Sequence, residues 1–398
     1  MQKRSISDWS DADLRGKRVL VREDLNVPLD GERITDDTRI RAAVPTLQAL
    51  REKGARVIVV SHLGRPKGVT EALRLDTVAA RLAECLGTPV LKAADTIGPD
   101  AQAKVAASQP GDVILLENVR FHPEEEKNDP AFARALADLA DFYVNDAFGT
   151  AHRAHASTAG VAAHLPAAAG LLMQKEIEIM GQALSAPKRP LVAIIGGSKV
   201  STKIGVLDHL VGKVDALVVG GAMAFTFLRA QGHATGKSLV EEDQLAVATR
   251  VLDLAERMKT TLILPSDVVL APDIAAPAAS ATVEVTAIPA DQIGVDVGPK
   301  TLGRIAEVLA GAETIIWNGP MGVFENPAFA VGTEAVARQC AAATERGAIT
   351  IVGGGDSVAA VEGLGLADRL THVSTGGGAS LEFLEGKVLP GVAALNDR

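Results

Sequence analysis

The sequence predicts an α/β protein made of two parallel-sheet domains, and three observations carry that reading. Short, wholly apolar runs alternate with amphipathic stretches along almost all of the 398 residues. Nearly every apolar run ends in glycine or polar residues. One helical pattern, 171–186, followed by a proline-bracketed basic turn, separates the runs into two series. Continuous apolar strands followed by helices imply parallel sheets covered on both faces.

In the first series the strands are RVLVRED, ARVIVVSH, DVILLEN and DFYVND, with helices over 41–53, 77–86 and 130–139. Pro45 lies inside the first of these, which predicts a kink or a restart there. In the second series the strands are PLVAIIGG, ALVVGG, TLILPSD, TIIWNGP and AITIVGGGD. Helices fall over 199–210, 243–259, 300–309 and 333–345. The stretch 171–186 reads as a helix joining the two domains; a crossover helix within one larger sheet is the alternative. The resulting division is 1–170, a linker over 171–188, a second domain over 189–385, and a tail over 386–398.

Composition narrows the function. A net charge of −9 argues against general nucleic-acid binding, and a single tyrosine with few other aromatics argues against a base-stacking surface. The start is polar, without a signal-peptide apolar core, and no run is long enough to span a bilayer. The two cysteines, Cys85 and Cys340, fall in helical stretches as small hydrophobes, which fits a reducing cytoplasm.

In open parallel sheets, ligands bind beyond the carboxyl ends of the strands, so the strand ends form one candidate surface per domain. In the first domain they carry Asp24 and Asn26, then Ser61-His62-Leu63-Gly64-Arg65, then Asn118-Val119-Arg120, then Gly149-Thr150-Ala151-His152-Arg153-Ala154-His155, with Arg39 after a polar turn. Arginines offer a planar fork matched to phosphate and carboxylate oxygens. Gathered at one sheet edge they repel one another unless an anion lies among them. The predicted ligand is small and highly anionic. The histidines lack metal-ligand spacing and read as hydrogen-bonding groups. The run 124–126, all glutamate, reads as a solvated loop or a helix start.

The second domain supplies GGSKVSTK at 196–203, Gly220-Gly221-Ala222, the loop after Asn318, Gly353-Gly354-Gly355-Asp356-Ser357 and Thr375-Gly376-Gly377-Gly378. Glycines let backbone approach an anion, and helix starts present unpaired N–H groups. Lys199 and Lys203, four apart, are read as one face of a helix gripping a polyanion. Asp356 beside a phosphate site suggests an intervening Mg²⁺; a helix N-cap is its other reading. No Walker A loop or G-x-G-x-x-G fingerprint is present, and GHATGKS at 232–238 has the wrong glycine spacing and follows a helix.

With both surfaces assembled, the chain closely resembles the phosphoglycerate kinase family. The matching motifs are DLNVP, TRI, SHLGRP, LENVRFH, VNDAFGTAHRAHAS, GGSKVSTK, WNGPMGVFE, GGGDS and STGGGAS, in order over nearly the whole chain. The resemblance implies two Rossmann-like domains joined by a helix with a hinged cleft, and a tail that returns to the first domain. It implies that Asp24, Asn26, Arg39, His62, Arg65, Arg120 and Arg153 hold phosphoglycerate. It places Lys199 and Lys203 at the nucleotide phosphates and the transferring phosphoryl group, Gly354, Gly355, Asp356 and Ser357 at the phosphates and Mg²⁺, and Gly294, Asn318 and Glu325 by the adenosine, with Gly197 and Gly221 also binding the nucleotide. Two departures stand out: Ala222 replaces a frequent glycine, which would tighten the adenine pocket, and Ser357 replaces a frequent threonine. The resemblance also suggests a monomer.

The implied reaction is reversible phosphoryl transfer from 1,3-bisphosphoglycerate to ADP, giving 3-phosphoglycerate and ATP. No general base is needed, because a phosphate oxygen attacks in one direction and a carboxylate, which titrates near pH 4, in the other. The difficulty is gathering negative charge and stabilising a loose phosphoryl group, the work assigned to Arg39, Lys199, Lys203, Mg²⁺ and the helix start at Gly376. Water exclusion implies domain closure. A two-domain binding protein and a dehydrogenase are the rival readings; the first leaves Lys199, Lys203 and Asp356 unexplained, and the second lacks its fingerprint. Arg39→Ala is expected to lower kcat by about 100–1000-fold, with nucleotide affinity far less affected. Steady-state kinetics check this, and an unchanged kcat removes Arg39 from the mechanism.

Overall fold

Strand formation follows the apolar runs closely. In the computed structural model, which describes residues 2–398, the chain divides into two compact units: Met1–Glu178 with Val388–Arg398, and Ile179–Lys387. The first unit contains β1 (Arg18–Arg22), β2 (Leu29–Asp30), β3 (Arg33–Ile34), β4 (Arg56–Val60), β5 (Val90–Lys92), β6 (Val113–Leu115), β7 (Phe142–Asn145) and β8 (Ala167–Ala169). Six of these form one sheet in the order β5-β6-β4-β1-β7-β8, parallel throughout. Val19 and Val21 of β1, Val57 and Val59 of β4, and Val113 and Leu115 of β6 join helix residues Ile40, Leu47, Val78 and Leu82 in a single buried cluster. The tail is stitched into this unit by backbone hydrogen bonds, Gly391 N–H to Ala151 O (2.8 Å) and Asn396 N–H to Ala167 O (3.2 Å).

The second unit continues with β9 (Leu191–Ile195), β10 (Ala216–Val219), β11 (Thr261–Ile263), β12 (Asp267–Ala271), β13 (Ala281–Glu284), β14 (Ile293–Val297), β15 (Thr314–Asn318), β16 (Ile349–Gly353) and β17 (His372–Val373). Its main sheet is again parallel and six-stranded, in the order β11-β10-β9-β15-β16-β17. Each main sheet starts from its middle: β1 lies between β4 and β7, and β9 between β10 and β15. The chain winds outward on one side and then returns to the other. The crevice where winding reverses, at the carboxyl ends of the central strands, is where open α/β sheets bind ligands.

Several local expectations change. The helix through Pro45 does not restart; it runs unbroken from Thr38 to Glu52. The stretch 261–267 is not one strand: Pro265 separates β11 from β12, and β12 leaves the parallel sheet for a small antiparallel one, β13-β12-β14. That sheet was not foreseen. The helix expected over 199–210 begins at Ile204, after a 3₁₀ turn over Val200–Thr202. Side-chain bonds tighten that turn: the Thr202 hydroxyl donates to Lys199 O (2.8 Å) and Ser201 N–H to Glu241 (3.1 Å). Lys199 is extended, so the two lysines are not successive turns of one α-helix. The run 124–126 lies in the first turn of the short Pro123–Glu126 helix, as its helix-start reading has it, but Glu125 is fully buried and not solvated.

At the end of β7, the buried Asp146 accepts a hydrogen bond from Met173 N–H (3.0 Å) and so serves the amino end of the Leu171–Ser185 helix from another element. Burial pushes this carboxyl up to about 6, from an ordinary 3.8. A carboxyl raised in the folded state holds its proton more tightly than the unfolded chain does. Its contribution to stability is therefore complete below the unfolded value and is lost as pH rises to the folded one, by about 3 kcal/mol in all. Asp146→Asn, which does not ionise, is expected to flatten the stability–pH curve between roughly pH 4 and 6. Urea unfolding across that range checks this, and an unchanged slope refutes it.

Candidate functional site

The strand ends of the first unit bring most of the predicted anion-binding residues together. Arg39, near the start of the Thr38–Glu52 helix, donates to Asp24 Oδ1 (3.2 Å) and to Asn26 O (3.0 Å). The Asn26 side chain accepts from Gly64 N–H (2.8 Å), and Arg120 donates to Gly64 O (2.8 Å). Asn118 ties the loops after β4 and β6 together. Its Oδ1 accepts from Leu63 N–H and Arg120 N–H, and its Nδ2 donates to the carbonyls of Leu63 and Leu73. His62 is buried, and burial holds its imidazole well below the usual range, with Arg22, Arg120, Arg39 and Arg153 adding to the effect in that order. The same surroundings pull His155 down to about 4, burial first and then Arg120, Arg22 and Arg153. Burial also lowers the Arg120 guanidinium from its ordinary value. Four guanidinium groups thus converge on one neutral imidazole. Arg65 stands apart: it is exposed and has no hydrogen-bond partner among the described residues.

In the second unit the glycine loops interlock through their backbones. Gly196 N–H donates to Asn318 O (2.9 Å), Gly221 N–H to Met321 O (2.9 Å) and Met223 N–H to Gly197 O (3.0 Å). At Gly221, φ is +69° and a Cβ would fall 2.4 Å from Gly197 O, so only glycine fits. These loops open a cavity of about 710 Å³, whose wall includes Gly197, Gly221, Gly294, Glu325 and Asp356 among the predicted residues. Lys203 lies beside it. Its ammonium donates to Asn318 Oδ1; burial lowers its pKa from the ordinary value, and Asp356 and Glu385 oppose that shift. Asn318 Nδ2 is buried without a hydrogen-bond partner, a donor available to an anion. Asn318 therefore sits against Lys203 and Gly354. Lys199 is exposed, as are Gly355 and Asp356 at the start of the Gly355–Gly363 helix, whose N-cap is Gly354. The buried Ser357 hydroxyl accepts from Gly319 N–H (2.6 Å) and so props the Asn318 loop. Gly376 is the N-cap of the Gly377–Leu384 helix.

A family model described as phosphoglycerate kinase matches residues 9–387. The chain belongs to the phosphoglycerate kinase family. A phosphoglycerate kinase of Moorella thermoacetica is 61% identical over 389 residues, 98% of each chain. A relative from Triticum aestivum named "Phosphoglycerate kinase, cytosolic" is 59% identical, with 99% of each chain covered. The solved phosphoglycerate kinase of Coxiella burnetii superposes with a TM-score of 0.89 at 44% identity, covering 98% of each chain. The chain has phosphoglycerate kinase activity, a step of glycolysis.

Sequence reasoning missed several residues at these sites. Arg22 closes an apolar strand, and a guanidinium in such a run was the available signal. The cavity wall also contains Phe225, Asp296 and the segment Ile274, Ala275, Ala276 and Pro277. That segment is clamped by Asn326, whose Nδ2 donates to Ile274 O (3.1 Å) and Ala276 O (2.9 Å). Asp296 holds Gly332 N–H (2.7 Å) and Val297 N–H (2.8 Å), and burial pushes its carboxyl up to about 7. These positions depend on the antiparallel sheet, which periodicity did not show. GHATGKS is no phosphate loop: Ser238 Oγ accepts from Gly294 N–H (2.9 Å) and pins β14 beside the cavity.

Gly294 lies over the Phe225 ring, where a Cβ would come within 1.9 Å of a ring carbon. Gly294→Ala is expected to push Phe225 into the cavity and weaken ADP binding by about tenfold or more, with 3-phosphoglycerate binding unchanged. Titration calorimetry with each ligand checks this; wild-type ADP affinity would mean the ring does not line the ligand's space.

Proposed function

We propose that the first unit holds the triose and the second holds the nucleotide. Asp24, Asn26, Arg39, His62, Arg65, Arg120 and Arg153 form the triose site. Gly197, Lys199, Lys203, Gly221, Gly294, Asn318, Glu325, Gly354, Gly355, Asp356 and Ser357 form the nucleotide site, with Ser357 acting by holding Gly319 N–H. The observation that carries this reading is the excess of guanidinium charge around His62, with Arg120 itself buried. A bisphosphate or phosphate–carboxylate ligand supplies the missing negative charge.

The residues fit Mg²⁺ delivered with the nucleotide. Among the described residues no group of three or more His, Cys, Asp or Glu side chains could hold a metal by itself. Asp356 offers one carboxylate on the cavity wall. Mg²⁺ is commonly bound by one or two carboxylates together with substrate phosphates and water. Asp356 is the residue that would hold it, and the ion would neutralise phosphate charge. Lys203, partly desolvated against Asn318, supplies a fixed positive charge to the nucleotide site, and Arg39 supplies one to the triose site, both as catalytic residues. The exposed Lys199 and the amide at Gly376 complete the catalytic set. Transfer is in line and needs no proton shuttle, which agrees with the neutral His62. The free thiols Cys85 and Cys340 and the cytosolic wheat relative support a cytoplasmic enzyme. Monomeric behaviour rests on the family resemblance.

The assay is ADP formation from ATP on addition of 3-phosphoglycerate and Mg²⁺, read through a coupled NADH signal. Turnover that requires all three components is expected. Asp356→Asn is expected to raise the Mg²⁺ concentration for half-maximal rate by about tenfold, with the 3-phosphoglycerate KM unchanged. An unaltered Mg²⁺ dependence would remove Asp356 from the metal site.

A further inference from the structure

Arg22 is fully buried, so it is not available as a surface grip for a ligand. Each of its nitrogens is used. Nε donates to Ser157 Oγ (2.8 Å), Nη1 to the Glu23 carbonyl, and Nη2 meets His62 Nδ1 at 3.1 Å. A guanidinium has five N–H donors and no acceptor. In the Arg22–His62 contact the arginine therefore donates, and Nδ1 must present a lone pair. The proton of the neutral ring is then on Nε2.

Arg22 is itself held from behind. The Ser157 hydroxyl donates to Glu125 Oε1 (2.5 Å) and Ser157 N–H to Glu125 Oε2 (2.8 Å). The hydroxyl oxygen is left to accept from Arg22. Glu125 is fully buried; burial raises its carboxyl above the ordinary value, and Arg22 and the Ser157 hydrogen bonds oppose that shift. The relay Glu125–Ser157–Arg22–His62 links the short Pro123–Glu126 helix, the loop at 157, the end of β1 and the loop after β4.

We propose that Arg22 is a positioning residue that locks His62 in its Nε2–H tautomer, so that His62 offers the triose one oriented, uncharged N–H donor. A free ring holds no fixed orientation and populates both neutral tautomers, and a ring protonated on Nδ1 alone would turn an acceptor toward the anion. The charged groups facing His62 are Arg22 from β1, Arg39 from the Thr38–Glu52 helix, Arg120 from the turn after β6 and Arg153 from the loop after β7; all oppose an imidazolium. The benefit to substrate binding rests on the assignment of His62 to the triose; the tautomer does not.

The test is long-range ¹H–¹⁵N NMR of the full-length, ligand-free protein at pH 7, with His62→Gln identifying the His62 signals. A pyridine-type Nδ1 with a pyrrole-type Nε2 is expected. An imidazolium or an Nδ1–H pattern overturns the proposal without any Arg22 variant. Arg22→Met is expected to lose the single-tautomer pattern and raise the 3-phosphoglycerate KM about tenfold, with the ATP KM unmoved. Arg22→Lys, which keeps only donors, is expected to retain the tautomer. A wild-type His62 pattern in folded Arg22→Met overturns the lock. An altered tautomer with an unmoved 3-phosphoglycerate KM overturns the role in binding and, separately, the placing of the triose at His62.

Discussion

The first unit is organised around the need to bury a guanidinium away from water. A buried ion without partners costs several kcal/mol, so each nitrogen of Arg22 is matched. The matching groups come from distant parts of the chain: the Glu23 carbonyl, His62, and Ser157 backed by Glu125. Satisfying Arg22 therefore draws together the same loops that carry Arg120 and Arg153. The side chains around His62 are left with positive charge to spare, a surplus suited to an anion.

The second unit meets a different constraint. A phosphate chain is recognised best by backbone N–H groups, which requires loops to approach one another closely. The hydrogen bonds of Gly196, Gly221 and Met223 to neighbouring loops achieve this by packing main chain on main chain. The antiparallel sheet β13-β12-β14 then adds the apolar part of the wall, with Phe225 under Gly294 and Asn326 fastening the Ile274–Ala276 carbonyls. The parallel sheet contributes loops that suit charge, and the added sheet contributes surface that suits a flat apolar ligand group.

Charge in both units is tuned by burial. His62 is kept neutral by desolvation and by arginines, and so adds no fifth positive charge. Lys203 is partly desolvated and steadied by Asn318, Asp356 and Glu385. For a reaction that moves a phosphoryl group between anions, fixed charges in a dry setting matter more than a proton donor.

The amino-acid order alone determined the two parallel sheets, because uninterrupted apolar runs can be buried only between helices. It also determined the chemistry at their carboxyl ends, because arginines and glycine loops recur where those runs stop. Tertiary structure decided which of those groups cooperate. Asn318 was matched to Lys203, Ser357 turned inward to hold Gly319, and Glu125 was drawn into the core, since each follows from hydrogen-bond partners distant in sequence. The helix start after Lys203 and the departure of β12 into a second sheet were decided the same way, by Glu241 and by the pairing of β12 with β13 and β14. Periodicity reports which face of an element is buried. It carries no information on the partner that a polar group finds once buried, and that pairing places Arg22 behind His62.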